Sequence, residues 1–407
     1  MITTHILSPD TQATLLLCGI FGQTDPDTLP PLTVSEYSDV AQWLLSQKLR
    51  PADLLQPEVL PHLRTFTHPK ISVERLEALL KRGGALALAV ENWTNKGLWI
   101  LSRSDAQYPK HFKEKLKQAA PPILYGVGNQ TLLDRGGLGI VGSRDVDEAG
   151  LMFTREVVAM CRDEHVQIIS GGARGVDTTA MLSALEINGQ AIGVLADSLS
   201  RAAVSKQYRE GLKKGNLVLI SPYYPEAGFS VGNAMGRNRY IYTLSDATLV
   251  IDSGLSSGGT WHGAIENLNK GWVPLLVRTG EDVSEGNKRL IELGGTPVSL
   301  ESFAAPKDFQ AWLHSFPLPN GGDSVSTKQA APKILDGLFE VVWPYLEAAL
   351  YQPKTDQELA HSLNLHIEQV QAWLIQAVNM GKAKKLTSPE RYVAVAAQEV
   401  QQLTLFN

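Results

Sequence analysis

Between residues 137 and 300, short apolar runs alternate with segments of helical periodicity, and this alternation constrains the fold more than any other feature. The apolar runs, each about the length of one strand, lie at residues 138–141, 166–169, 191–195, 217–220, 249–251 and 273–277. Helical patterns separate them, for example at residues 148–162 and 178–188. Strands and helices that alternate in this way form βαβ units with right-handed crossovers. The sequence therefore predicts an α/β domain built on a buried parallel sheet.

The segments on either side of this core predict separate modules. Residues 1–130 have mostly helical patterns and end in two extended lead-in pieces, and residues 131–314 contain the α/β domain. Residues 315–332 have the Pro, Gly and Ser content of a flexible linker. Residues 333–397 predict a helix, a short helix, a third helix and a two-stranded wing, which together indicate a winged-helix-like module. Residues 398–407 form a C-terminal tail peptide.

Composition limits the kinds of partner this chain can have. With 407 residues, the chain is long enough for two or three domains, and its net charge of −5 excludes a generally basic nucleic-acid binder. Any anion site must therefore be a local patch. Cys18 and Cys161 match neither a metal site nor a disulfide framework. No secretory signal or bilayer-length apolar run is present, so we expect a cytoplasmic protein without a membrane anchor, a metal or a cofactor.

Three segments rich in glycine and arginine lie near the ends of predicted strands. Their residues are Gly142, Ser143 and Arg144; Ser170, Gly171, Gly172, Arg174 and Gly175; and Arg237, Asn238 and Arg239. We interpret them as loops at the carboxyl ends of parallel strands, where such loops converge. Arginine forks bind phosphate oxygens in pairs, glycine lets the backbone approach closely, and helix N-termini add N–H donors. The sequence predicts one phosphate-binding pocket for a polyanion.

A structural interpretation of the same residues stays open. The arginines could instead form ion pairs that tie the loops to Asp145, Asp177 or Asp246, and Asp177 is more typical of a helix cap than of a catalytic base. Asn238 could bind a base edge or a phosphate, or brace its own segment.

Further candidates for DNA contact lie close to these segments. The turn formed by Ser257, Gly258, Gly259 and Thr260 is either a phosphate nest or a plain strand-to-helix turn. Nearby aromatic residues could stack on bases, although core packing is the favoured fate for each; they are Tyr223, Tyr224, Phe229 and Tyr240.

These motifs, taken in order, resemble the DprA/Smf family of DNA-processing proteins. The resemblance covers residues from about 135 to 300 well, and it continues upstream at Tyr108-Pro109 and residues 121–125. It implies an extended Rossmann-like, doubly wound parallel sheet that binds single-stranded DNA. It also implies a homodimer that protects incoming strands and loads a RecA-type recombinase in transformation and recombination, without catalytic turnover. The chain departs from the family pattern at Gly172, Met181 and Pro222, where a leucine, a histidine and an acidic residue are usual.

The main alternative is a nucleotide-processing or nucleotide-sensing protein of the same superfamily. Phosphoribohydrolases of the lonely-guy type resemble this chain in a Gly-Gly and Thr motif followed by a glutamate. Here Thr260 and Glu266 lie further apart than that spacing allows, and no second catalytic carboxylate is evident. A nucleotide sensor in a defence system is a further possibility. We therefore expect no catalytic residues.

The C-terminal segments suggest contacts with other proteins. The third predicted helix of the winged-helix-like module would be its recognition helix, and it carries Glu368, Gln369 and Gln371. Major-groove reading usually needs Arg, Lys or Asn there, so the low positive charge favours a protein-contact role. The tail residues Gln402, Leu403, Leu405 and Phe406 resemble the peptide with which many bacterial proteins bind the replicative sliding clamp. Such a tail could also fold back on the module.

Overall fold

The computed structural model describes residues 7–22, 29–280, 282–306, 308–319, 342–343, 345–363, 367–379, 382–387 and 390–394. The chain divides into two compact units, Met1–Val325 and Ser326–Asn407. No helix in these described ranges is both long enough and apolar enough to cross a lipid bilayer. The domain boundaries given above remain predictions.

Within the described residues, five α-helices precede the sheet of the first unit. They are α1 (Pro9–Cys18), α2 (Val34–Ser46), α3 (Leu60–Leu63), α4 (Val73–Leu80) and α5 (Gly83–Asn95). Side chains cap the start of some of these helices, and Thr33 and Glu36 form a reciprocal capping box at α2. Ser72 accepts the Arg75 amide at α4. Apolar faces of α1, α2 and α4 meet in a core of their own.

The rest of this unit is built on a nine-stranded sheet with the order β1-β2-β6-β5-β4-β3-β7-β8-β9. The strands are β1 (Trp99–Ser102), β2 (Ile123–Gly128), β3 (Leu138–Val141), β4 (Ile168–Ser170), β5 (Ala191–Val194), β6 (Leu217–Ser221), β7 (Ala247–Val250), β8 (Leu275–Arg278) and β9 (Thr296–Val298). Strands β3 to β9 pair in parallel. The α/β fold with a doubly wound parallel sheet is thus confirmed.

The two lead-in strands extend this sheet in the opposite sense. Strand β1 pairs antiparallel with β2, and β2 pairs antiparallel with β6, with Tyr125 opposite Ser221. The sheet is therefore mostly, rather than entirely, parallel.

Helices cover both faces of the sheet. They are α6 (Lys110–Leu116), α7 (Glu148–Asp163), α8 (Val176–Glu186), α9 (Leu199–Ala203), α10 (Arg209–Lys214), α11 (Val231–Leu244), α12 (Gly258–Lys270), α13 (Glu285–Glu292), α14 (Leu300–Ala304) and α15 (Phe309–Ser315). Alternate residues of one strand face opposite sides, so Ile140 packs with α7 and α8 in one core. Val141 packs with α11 and α12 in the other.

The sheet reverses its winding between β3 and β7. The helix after β3 lies on one face and the helix after β7 lies on the other, so their connecting loops part at the carboxyl ends of these strands. Ligands of open α/β sheets bind in the crevice at such a switch point. We therefore expect a ligand site at the carboxyl ends of β3 and β7.

One local prediction at this edge was wrong. Arg237, Asn238 and Arg239 lie in the middle of helix α11 rather than in a loop. The side chain of Ser230 caps the helix by accepting the Asn233 amide. The helix continues through Gly232 and Gly236, because tertiary packing outweighs the roughly 1 kcal/mol helix penalty of each glycine.

The second unit contains α16 (Asp356–Leu363), α17 (Ile367–Asn379), β10 (Ala383–Thr387) and β11 (Glu390–Ala394). The two strands form an antiparallel pair, in the sequence position of the predicted wing. Thr355 and Glu358 form the predicted capping box at the start of α16. Much of the first predicted helix of this module, at residues 334–350, and the whole tail with Gln402, Leu403, Leu405 and Phe406 lie outside the described residues.

Candidate nucleic-acid interface

The structure brings the glycine- and arginine-rich segments together at the carboxyl edge of the sheet. Gly142 follows β3 and Gly171 follows β4, while α11 carries its arginines across the ends of these strands. The segments touch directly: a methyl group added to Gly175 would meet the backbone oxygen of Ser143 at 2.5 Å. The predicted convergence is therefore present, although the groups that meet there divide into a buried and an exposed layer.

The buried layer surrounds the carboxylate of Asp177, in the first turn of α8. Asp177 is 5% exposed, and the backbone N–H groups of Gly142, Gly171 and Ala173 lie near enough to favour its charged form. Burial raises the pKa of the Asp177 carboxyl, and the Arg237 charge and the three amides oppose that rise. We call this arrangement, Asp177 with Arg237 and the three amides, the buried nest.

Arg237 is the cation of the buried nest. It is 5% exposed, its Nη2 lies 3.7 Å from Asp177 Oδ2, and its Nη1 donates to the Val194 carbonyl over 2.7 Å. Its Nε has no hydrogen-bond partner, and burial lowers the pKa of the guanidinium. Arg237 is thus turned inward and joins α11 to the ends of β4 and β5.

Gly171 makes room for that guanidinium. A methyl group at Gly171 would lie 1.4 Å from Arg237 Nη1, a separation that no real side chain tolerates. The glycine is required by the approach of an arginine from the same chain. Gly142 is required for a similar reason, because its methyl group would meet Val176 at 2.4 Å.

The exposed layer consists of Arg144, Arg174 and Phe229, which we call the outer rim. Arg174 is 75% exposed and pairs with Asp145, which is itself 82% exposed. Arg144 is exposed, and its guanidinium lies 5.1 Å from the centre of the Phe229 ring. Phe229 is 56% exposed. The rim therefore presents two cations and an aromatic ring to solvent.

Asn238 and Arg239 connect α11 to α12. Asn238 Nδ2 donates to the Gly259 carbonyl over 2.8 Å, so Asn238 braces the turn before α12. Arg239 lies 3.0 Å from Glu266 and keeps 36% of its side chain exposed. Glu266, the glutamate considered above for a phosphoribohydrolase, is therefore engaged in this ion pair.

The turn before α12 is open to solvent. Ser257 is the N-cap residue of α12 but makes no side-chain capping hydrogen bond. Gly258 has φ +84°, a backbone conformation that favours glycine. Ser257 and Gly258 are exposed, and Gly259 and Thr260 are half-buried. The start of α12 therefore lies at an open surface beside the switch point.

The remaining predicted residues have structural contacts. Ser170 is buried and donates to the Ile140 carbonyl over 2.6 Å, while Ser143 Oγ accepts the Asp145 amide over 3.2 Å. Gly172 and Gly175 adopt φ +69° and +86°. These two glycines turn the chain between β4 and α8.

Of the acidic residues considered as partners, two pair with arginine as the structural interpretation predicted: Asp145 with Arg174 and Asp177 with Arg237. Asp246 instead accepts the Gly137 amide over 2.7 Å at the start of β3. It therefore lies at the opposite, amino edge of the sheet. No group of three or more metal-ligating side chains occurs within the described ranges.

The aromatic residues near the site have different environments. Tyr240 is 6% exposed, Tyr223 donates to the Asn233 carbonyl over 3.1 Å, and Tyr224 donates to Glu226 over 2.5 Å. Phe229, by contrast, projects from the surface, as does its apolar neighbour Val231, which is 65% exposed. The sequence analysis did not identify Val231 as a surface residue. Its place directly after Ser230, the N-cap of α11, was the one sequence feature that could have indicated its exposure.

Comparison with known proteins identifies a family. Residues 99–304 match the family described as DNA recombination-mediator protein A. This stretch contains the complete nine-stranded sheet, the buried nest and the outer rim.

Curated relatives extend the similarity. The Smf protein of Synechocystis sp. is 26% identical over 318 residues, which make up 72% of this chain and 79% of that protein. The DNA processing protein DprA of Bacillus subtilis is 27% identical, over 56% of this chain and 77% of that protein. The Smf protein of Escherichia coli is 31% identical, over 48% of this chain and 53% of that protein.

Two solved structures are similar over most of their own length. DNA processing protein A from Streptococcus pneumoniae is 20% identical with a TM-score of 0.47, over 70% of this chain and 99% of that one. DNA processing protein A from Helicobacter pylori, described for its single-stranded DNA binding mode, is 24% identical with a TM-score of 0.45. That match covers 54% of this chain and 97% of that one.

Proposed function

We infer the function of this chain from its family: the chain belongs to the DNA recombination-mediator protein A family, the DprA/Smf DNA-processing proteins. The family resemblance seen in the sequence motifs is thereby confirmed. The finer function, the strand it binds and the groups that bind it, is our proposal.

We propose that the chain binds single-stranded DNA along the outer rim and the open turn before α12. The single observation that carries this is the pairing of exposed Arg144 with the exposed Phe229 ring. Guanidinium groups bind the strand backbone, and an exposed aromatic face stacks on any base. This combination favours a single strand, whose bases are accessible, and gives little sequence preference.

The buried nest favours a strand over a mononucleotide. In many nucleotide-binding α/β proteins, backbone amides at this edge bind a phosphate of the ligand. Here the amides of Gly142, Gly171 and Ala173 lie near the carboxylate of Asp177 and favour its charged form. A phosphate placed there would have to displace a buried carboxylate that is already paired with Arg237. The rim offers the accessible cations.

The pathway and partners are proposed from the family. Its description as a recombination mediator supports strand protection and the loading of a RecA-type recombinase. We propose that the chain acts as a homodimer in the cytoplasm, in transformation or recombination, and without catalytic turnover.

The test is a fluorescence-anisotropy titration of labelled oligo-dT with wild type and with the double variant Arg144→Ala, Arg174→Ala. Single-strand contacts to Z phosphates give a log–log salt slope of about −0.7Z. The double variant should therefore bind more weakly, with a slope shallower by about 1.4. Arg162→Ala is the matched control, because Arg162 is 48% exposed in the last turn of α7, away from the rim.

Oligonucleotide length separates the alternatives in the same experiment. A strand binder gains affinity from a mononucleotide to a long oligo-dT, whereas a nucleotide enzyme or sensor saturates with the mononucleotide. Wild-type affinity that does not depend on length would contradict the proposal. Equal salt slopes for the double variant and the control would show that Arg144 and Arg174 do not contact the DNA strand.

A further inference from the structure

The loop of residues 222–230 carries Phe229 from β6 to α11, and the carboxylate of Glu226 ties it to the end of α5. Glu226 Oε1 accepts hydrogen bonds from Asn92 Nδ2 and Lys96 Nζ, both over 2.8 Å. Glu226 Oε2 accepts from the Tyr224 hydroxyl over 2.5 Å. One carboxylate thus joins Asn92 of α5 and Lys96, the C-cap residue of that helix, to the loop.

The neighbouring part of the loop is anchored as well. The ring of Tyr224 packs edge-on against Trp93 of α5, with centroids 6.2 Å apart. The Ser200 amide donates to the Pro225 carbonyl over 2.9 Å, and the Ser198 amide donates to the Ala227 carbonyl over 2.8 Å. The anchored part of the loop therefore ends at Ala227.

Between Ala227 and Ser230, the N-cap residue of α11, the loop has few restraints of its own. A methyl group added to Gly228 would touch nothing within 4 Å, and Phe229 projects into solvent. Phe229 is thus held between the start of α11, where it also meets Arg144, and the anchored part of the loop, so the firmness of that anchor contributes to the position of its ring. A ring that is already fixed avoids an entropic cost when a base stacks on it.

We propose that Glu226 is a positioning residue: through Lys96 and Asn92 it fixes the 222–230 loop to α5 and thereby sets Phe229 for strand binding. This assigns a role in DNA affinity to the N-terminal region without a DNA contact. The role in affinity rests on the proposed single-stranded DNA function, whereas the anchoring of the loop can be measured without DNA.

Anchoring is tested by limited chymotrypsin digestion, with mass spectrometry of the fragment that begins at Ser230. Glu226→Ala should accelerate cleavage after Phe229 about threefold to fivefold, because partly exposed ion pairs restrain a loop modestly. Glu164→Ala, an exposed glutamate at the C-terminal end of α7, is the matched control and should leave the rate unchanged. An unchanged rate in Glu226→Ala would overturn the proposal.

Oligo-dT affinity distinguishes positioning from simple charge. Glu226→Lys adds positive charge near the rim, so electrostatic attraction alone would tighten binding. Loss of the anchor predicts binding weaker by about threefold. Glu226→Lys combined with Lys96→Glu restores an ion pair and should recover both the affinity and the slow cleavage. Tighter binding by Glu226→Lys, or no recovery in the double variant, would overturn the positioning role.

The two readouts separate this proposal from the proposed function. If wild type binds no oligo-dT, the strand-binding function and the effect of Glu226 on affinity both fail. Faster cleavage of Glu226→Ala would then still identify the anchor. If wild type binds and cleavage is unchanged, only the anchoring role of Glu226 fails.

Discussion

The buried nest and the outer rim contain the same kind of residue at the same edge of one sheet, yet they do different things. Arg237 is 5% exposed and bound to Asp177, whereas 75% of the Arg174 side chain is exposed. A buried arginine that loses its partner leaves an uncompensated charge, while an exposed pair contributes little to stability. Burial therefore decides which arginine maintains the fold and which is available to a ligand.

The comparison is tested most severely by Arg237→Ala. Removal of the guanidinium leaves the Asp177 carboxylate buried without its counter-charge, so we expect a loss of about 3–5 kcal/mol in the free energy of unfolding. Urea unfolding at neutral pH measures this, and Arg162→Ala should change stability by less than about 0.5 kcal/mol. Wild-type stability combined with lost oligo-dT binding would place Arg237 in the DNA site instead.

A smaller loss is expected from Gly171→Ala. The new methyl group would occupy the place of Arg237 Nη1, and such overpacking costs about 2–3 kcal/mol. Gly232→Ala is the contrasting variant, because Gly232 lies in α11 with only Ser230 Oγ near, at 4.0 Å. That change should raise stability by about 0.5–1 kcal/mol. Equal stabilities of the two variants in urea would argue against the buried nest.

For the rim, Phe229→Ala should affect binding and leave folding unchanged. Loss of one stacked base weakens oligo-dT binding by about 1–2 kcal/mol, or roughly fivefold to thirtyfold. Phe229→Tyr keeps the ring and should bind like wild type in anisotropy titrations. A loss of thermal stability in Phe229→Ala would mean that the ring belongs to the core.

The smallest effect is expected from Arg239→Ala, which lies between the two layers. Its side chain is 36% exposed and paired with Glu266, so its removal should cost less than about 1 kcal/mol in stability. Its contribution to the oligo-dT salt slope should not exceed about 0.7. A loss of stability as large as that of Arg237→Ala would show that exposure does not separate the structural arginines from those available to a ligand.

Much of the sheet could be predicted because its strands are short apolar runs buried on both faces. The predicted strand at residues 138–141 coincides with β3, Leu138–Val141, and the helix predicted at 148–162 ends one residue later, at Asp163. The antiparallel extension by β1 and β2 was not predicted. Its partner strand β6 lies far along the chain, and local periodicity contains no information about such pairing.

The site was harder to predict than the fold. Glycines at positions 232 and 236 made α11 look like a loop, and only packing against the sheet makes the segment helical. Arginine is rarely fully buried unless paired, so the sequence favoured exposure of Arg237 as strongly as that of Arg174. The one indication of burial was Asp177, whose carboxylate requires a partner.

The antiparallel edge also determines when the molecule can be completed during synthesis. Strand β2 can pair with β1 at once, but it joins the rest of the sheet only after β6 is made, because Tyr125 pairs with Ser221. At about 5–20 residues per second, the ribosome needs roughly 5–20 seconds to make the intervening chain. During that time the apolar face of α5, including Trp93, lacks the Tyr224 ring that later packs against it. Helix α5 therefore keeps an incompletely covered Trp93 face until the 222–230 loop has been made, whereas the core formed by α1, α2 and α4 needs no later segment of the sheet.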